Sequence, residues 1–138
     1  MAGFIDGEGS FFISYTSENK TKFRPKFSLA IRADDRPIVD ELRAATGIGT
    51  VHEYKATSSG NTVVRWMIQS HADCEALVRL LDSFPLRAKK RKDFDVWRRA
   101  VAEASTLSMG CKADNADTYR RIKALKDELA LVRREGIR

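Results

Sequence analysis

The sequence predicts an α+β fold, a four-stranded antiparallel sheet in an αββαββα order with helices covering one face. Three observations lead there. Segment 21–33, TKFRPKFSLAIRA, alternates apolar and polar residues with the period of two that a half-buried strand requires. Two pairs of strand-like segments are each joined by a polar turn and followed by a helical pattern. The C-terminal half carries apolar residues at helical spacing, interrupted at Pro85.

In chain order, the opening MAGFIDGEG predicts a short helix over 1–6, a rise of only about 9 Å and too little to persist without a partner. Segment 10–16, SFFISYT, reads as the first strand, and SENK supplies the turn into the second. On the second strand Phe23, Pro25, Phe27, Leu29 and Ile31 share one face, while Lys22, Arg24, Lys26, Ser28 and Arg32 share the other. Asp34, Asp35 and Pro37 mark a helix start, with an acidic cap and a proline in the first turn. Ile38, Val39, Leu42 and Ala45 give that helix its apolar face, and Gly47 ends it. Strands at 49–55 and 62–70 flank the turn TSSGN. Leu77, Leu80, Leu81 and Phe84 stripe a helix over 73–84, and Phe94, Trp97 and Val101 one over 89–105. Tyr119, Ile122, Leu125, Leu129 and Val132 stripe a last helix over 117–134.

At 138 residues, with no Pro/Gly/Ser-rich linker, the chain reads as a single domain, 1–138. Hydrophobic residues at 43% and charged residues at 32% fit a globular protein rather than a disordered one. No apolar run approaches the roughly 20 residues of a membrane span, and Met1 to Ile5 runs into Asp6 with no basic flank of a signal peptide. Cys74 and Cys111 are too few for a disulfide framework, and His71 with Cys74 is half of a zinc site at most. The expected location is cytoplasm or nucleoid, or the matrix if the gene is organellar, and not the exterior. A net charge of +6, from 25 Lys and Arg against 19 Asp and Glu, points to an acidic partner.

MAGFIDGEG resembles the LAGLIDADG motif of the homing endonucleases: Met1 for Leu, Ala2, Gly3, Phe4 for Leu, Ile5, Asp6, Gly7 for Ala, Glu8 for Asp, Gly9. It stands directly before the first strand, where that family has it, and the element order matches the family's core, so the resemblance covers most of the chain. Gly3 and Gly7, four apart, share one helical face without a Cβ, which lets two helices approach closely. The resemblance implies that two motif helices pack together, through Ala2, Gly3, Phe4, Asp6 and Gly7, and deliver an acid each to the scissile phosphates. With one motif in the chain, the second belongs to another copy: a homodimer on a near-palindromic double-stranded DNA site. Glu8 takes the place of the family's metal-binding carboxylate, with the Gly7 carbonyl as a further ligand, for Mg²⁺ or another divalent cation. Asp6 is expected to cap or orient the turn.

Two further positions match the family's supporting active-site residues. Asp35 follows the second strand, where relatives order water near the metal; its competing role is the helix N-cap. Lys89, after Pro85-Leu86-Arg87, matches a lysine near the active-site waters and the DNA backbone; its competing role is one more cation in a solvated basic run. Relatives carry about a turn of helix before the motif, whereas Met1 already fills its first position. The expectation is either an upstream start or a weakened dimer contact.

A sheet face can enter the major groove, where all four base pairs are distinguishable. The face expected there presents Ser10, Phe12, Ser14 and Thr16, then Lys22, Arg24, Lys26, Ser28 and Arg32. Thr50, His52 and Tyr54 follow, with Arg65, Met67 and Gln69 from the fourth strand. Arg87 and Lys90 belong to a run suited to phosphate contact. The function expected is a metal-dependent, site-specific DNA endonuclease. The alternatives are a non-cleaving relative that binds intron RNA as a splicing cofactor or DNA as a regulator, and a basic domain of unrelated role. Intact Glu8, Asp35 and Lys89 favour the nuclease, since a pure binder needs no acid at the phosphates.

Overall fold

The computed structural model describes residues 2–15, 22–57, 60–107 and 112–137. Helix α1 (Ala2–Glu8) leads into strands β1 (Gly9–Tyr15) and β2 (Phe23–Arg32), and a 3₁₀ turn (Ala33–Asp35) opens helix α2 (Arg36–Thr46). Strands β3 (Thr50–Lys55) and β4 (Thr62–Ile68) precede helices α3 (His71–Ser83), α4 (Lys90–Ala104) and α5 (Lys112–Ile137). The strands form one antiparallel sheet in the order β1-β2-β4-β3, which puts the two hairpins side by side through β2 and β4.

The α+β expectation holds, with shifts at the element ends. Strand β4 stops at Ile68 rather than Ser70, since Ser70 serves α3 as N-cap by accepting from the Asp73 amide at 3.1 Å. Helix α5 begins at Lys112 rather than near Asp117. The SENK turn, Cys111 and Thr16 lie outside the described residues.

The period-two pattern decides which face is covered. Phe11, Ile13, Phe23, Phe27, Leu29, Val64, Trp66 and Ile68 are buried on one side of the sheet, where α4 and α5 pack against β1 and β2, and α3 against β2. Phe11 is the hub of that core, with ring centroids 5.0 Å from Phe27, 5.2 Å from Trp97 and 5.5 Å from Phe94. The indole N–H of Trp97 donates to the Lys26 carbonyl at 2.9 Å and so fixes the middle of α4 to the first hairpin. Lys126 of α5 lies 4.8 Å from the Tyr15 ring centroid and 5.8 Å from that of Phe23, a cation–π clasp at the far end of that hairpin. Among the described residues no helix is long and apolar enough to cross a membrane.

Candidate active site

Helix α1 is too short to be held by its own propensity, and packing holds it instead. Ile5 is fully buried and Phe4 packs on the core. On the exposed side, a Cβ added at Gly3 or Gly7 would meet no heavy atom within 4 Å, so both glycines present bare backbone outward. Gly9 is different: a Cβ there would stand 2.8 Å from the Ile5 carbonyl oxygen and 2.8 Å from the Phe27 ring. The closing glycine therefore lets the chain turn from helix into strand against Phe27. Glu8, between Gly7 and Gly9, is exposed. The side chain of Ala2 lies outside the described residues.

Topology brings the other two catalytic candidates to the same end of the sheet. Gly9 pairs with Leu29 and β2 runs on to Arg32, so the turn carrying Asp35 lies beyond the end of the sheet where Glu8 sits. Asp35 occupies the N-cap position of α2 but makes no side-chain capping hydrogen bond, and its side chain is exposed. Its neighbour Asp34 pairs with Arg32 at 3.6 Å. Lys89 is exposed at the N-cap position of α4, and the loop before it reaches the motif directly. The Asp6 carboxylate accepts from the backbone amides of Arg87 at 3.0 Å and Ala88 at 3.4 Å. Lys90 donates its ammonium to the Gly9 carbonyl, while the Arg87 side chain is exposed.

Glu8 and the Gly7 carbonyl are hard oxygen donors on open surface, a set that fits Mg²⁺, which keeps several of its waters and prefers few protein ligands. Among the described residues no three His, Cys, Asp or Glu side chains converge, so further ligands would be waters, phosphate oxygens or a second carboxylate. The half zinc site does not assemble: His71 Nε2 pairs with Glu75 Oε1 at 2.8 Å, and Cys74 is 1% exposed. Burial, then the Asp73 carboxylate, pushes the Cys74 thiol up to about 12.

The uncovered sheet face runs from this end. Ser10, Phe12 and Ser14 pair with Ser28, Lys26 and Arg24. Ser28 faces Met67 and Thr50 across the sheet, Ala30 faces Arg65 and His52, and Arg32 faces Val63 and Tyr54. Among the described strand positions on that face there is no Asp or Glu, against the cations Arg24, Lys26, Arg32 and Arg65. Lys22 is exposed just before β2, and Gln69 is exposed just past β4. Arg65 is half-buried on this open face because Tyr54 covers it, with the guanidinium 4.9 Å from the ring centroid and a 2.8 Å hydrogen bond to the phenol oxygen.

The sequence model of the LAGLIDADG endonucleases matches residues 1–101. The chain belongs to the LAGLIDADG endonuclease family. Among curated relatives, a probable intron-encoded endonuclease 3 of Neurospora crassa is 30% identical over 105 residues, which is 72% of this chain and 19% of that one. The chain spans between 19% and 26% of the length of the curated relatives it matches. The LAGLIDADG meganuclease I-AabMI, solved bound to uncleaved DNA, superposes with a TM-score of 0.73 at 26% identity over 91% of this chain and 42% of its own. I-SmaMI, solved bound to an uncleaved DNA target in the presence of calcium ions, gives 0.72 at 22% identity, again over 91% and 42%.

The contacts of Asp6 and Lys90 join residues 81 apart and carry no local sequence signal. One indirect signal exists: the run from Lys89 to Lys92 opens a helix with no Ser, Thr, Asn or Asp directly before it, so the amides ahead of its first turn, where Asp93 is its one acid, have no local side-chain cap.

Proposed function

We propose that this chain is a site-specific endonuclease that acts as a homodimer on double-stranded DNA and needs a divalent cation. One observation carries the reading: an exposed carboxylate, Glu8, follows a bare-backbone glycine strip at one end of a sheet whose open face has cations and no acid at its described strand positions, in a LAGLIDADG chain. Gly3 and Gly7 would meet the same residues of a second copy, and the two-fold axis would bring two Glu8 carboxylates to phosphates on opposite strands.

Within each copy, Glu8 and the Gly7 carbonyl hold the cation, Mg²⁺ in this reading, which when bound supplies charge stabilisation at the phosphate and acidifies a water. Asp35, with no cap to make, accepts from a water near that site. Lys89 places a positive charge where the phosphate gains negative charge. Arg24, Lys26, Arg32 and Arg65 lie in the major groove with Ser10, Phe12, Ser14, Ser28, Thr50, His52, Tyr54 and Gln69, and Lys22, Arg87 and Lys90 favour phosphates.

Selection of cleaved duplexes from a randomised library in Mg²⁺ tests the reading, because it needs no prior target. The chain should enrich a near-palindromic site and lose cleavage by at least about 100-fold on Glu8→Gln with duplex binding retained. Binding without cutting by the unmodified chain would assign it instead to non-cleaving relatives that bind DNA or intron RNA.

A further inference from the structure

The loop before α4 and the first residue of that helix are fastened to the motif on the two sides of Glu8. Ahead of it in sequence, the Asp6 carboxylate holds the Arg87 and Ala88 amides, at 3.0 Å and 3.4 Å. Behind it, Lys90 donates to the Gly9 carbonyl. Helix α4 lacks a side-chain cap of its own, since Lys89 stands at that position and makes none. Lys90, Arg91 and Lys92 then put like charges on the positive end of the helix dipole, which Asp93 in the first turn and the neighbouring Asp6 carboxylate offset. Because Asp6 and Glu8 ride on one helix, the acid and the backbone from which Lys89 projects are locked to a common frame.

We propose that Asp6 is a positioning residue for Lys89: it acts at the active site by fixing the 87–88 backbone, and not as part of the contact between copies. The inference rests on the nuclease reading. An Asn at this position keeps the shape but offers one acceptor oxygen, and its NH₂ would face a backbone N–H. A loop displaced by about 1 Å costs a reaction up to about 100-fold even when every reacting group is retained.

The test is a double-mutant cycle in the full chain, with Asp6→Asn, Lys89→Met and the pair, read by single-turnover cleavage in Mg²⁺ and duplex affinity in EDTA. Asp6→Asn should slow cleavage about ten-fold or more, with affinity and self-association unchanged within about three-fold. Added to Lys89→Met it should cost less than about two-fold, because the residue it positions is gone. Equal losses in both backgrounds, a wild-type rate, or a loss of self-association would overturn the proposal while leaving the nuclease reading intact. Should Asp6→Asn fail to fold, hydrogen exchange in the unmodified chain decides: protected Arg87 and Ala88 amides support the tether, and freely exchanging ones overturn it. An unmodified chain that never cuts DNA removes both readings together.

Discussion

At the scale of single residues, the three motif glycines have two different reasons to exist. Gly9 is fixed inside the chain, because a methyl group there would press on the Ile5 carbonyl and the Phe27 ring. Gly9→Ala should therefore cost about 1–3 kcal/mol of stability, measured by urea unfolding, and an unchanged midpoint would refute the packing account. Gly3 and Gly7 meet nothing within the chain. Cys74 gives a residue-scale prediction of another kind. Its thiol ionises near 9.0 when free and at about 12 in the fold, so between those values the folded state holds more protons than the unfolded one. Stability contributed by the buried neutral thiol is complete below pH 9.0 and is lost as pH rises toward about 12. Cys74→Ala should flatten that alkaline decline, and an identical decline in the variant would contradict the assignment. The motif made Glu8 legible in the sequence, yet the partners of Asp6 were not, because a contact 81 residues away leaves no periodic trace.

At the scale of elements, β2 was the most legible because both its faces are strongly specified, aromatic and aliphatic inward, cationic outward. Strand β3 lies within one residue of its expected range, with Thr50, His52 and Tyr54 on the open face, although as an edge strand with Val51 alone half-buried it has only a weak face pattern. The start of α5 was missed because residues 112–116, Lys-Ala-Asp-Asn-Ala, carry no apolar stripe before Tyr119. Helix α1 carries the sharpest element-scale prediction. Replacing Gly3 and Gly7 together by Ala adds about 1 kcal/mol of helix propensity each and creates no clash within the chain. Thermal unfolding should show a folded chain of equal or greater stability, while sedimentation shows self-association weakened by at least about ten-fold. Unaltered association would mean that the glycine strip is not where two copies meet.

At the scale of the whole molecule, the sheet divides two tasks. Its covered face is a continuous core built on Phe11, Trp66 and Trp97, which keeps the strands rigid. Its open face carries Arg24, Lys26, Arg32 and Arg65 with no acid among its described strand positions, Asp34 beside Arg32 lying past the strand end, so it offers mainly one sign of charge to a polyanion. Glu8 and the turn carrying Asp35 lie toward one end of the sheet, and the loop before Lys89 is tied to the same helix as Glu8 through Asp6.

The central claim is that two copies act on one duplex, and the mass of the complex tests it most directly. Sedimentation of the Glu8→Gln chain on a duplex selected for cleavage by the unmodified protein should give two chains per duplex. A stable complex of one Glu8→Gln chain per duplex, on a site whose two strands the unmodified protein cuts, would contradict it.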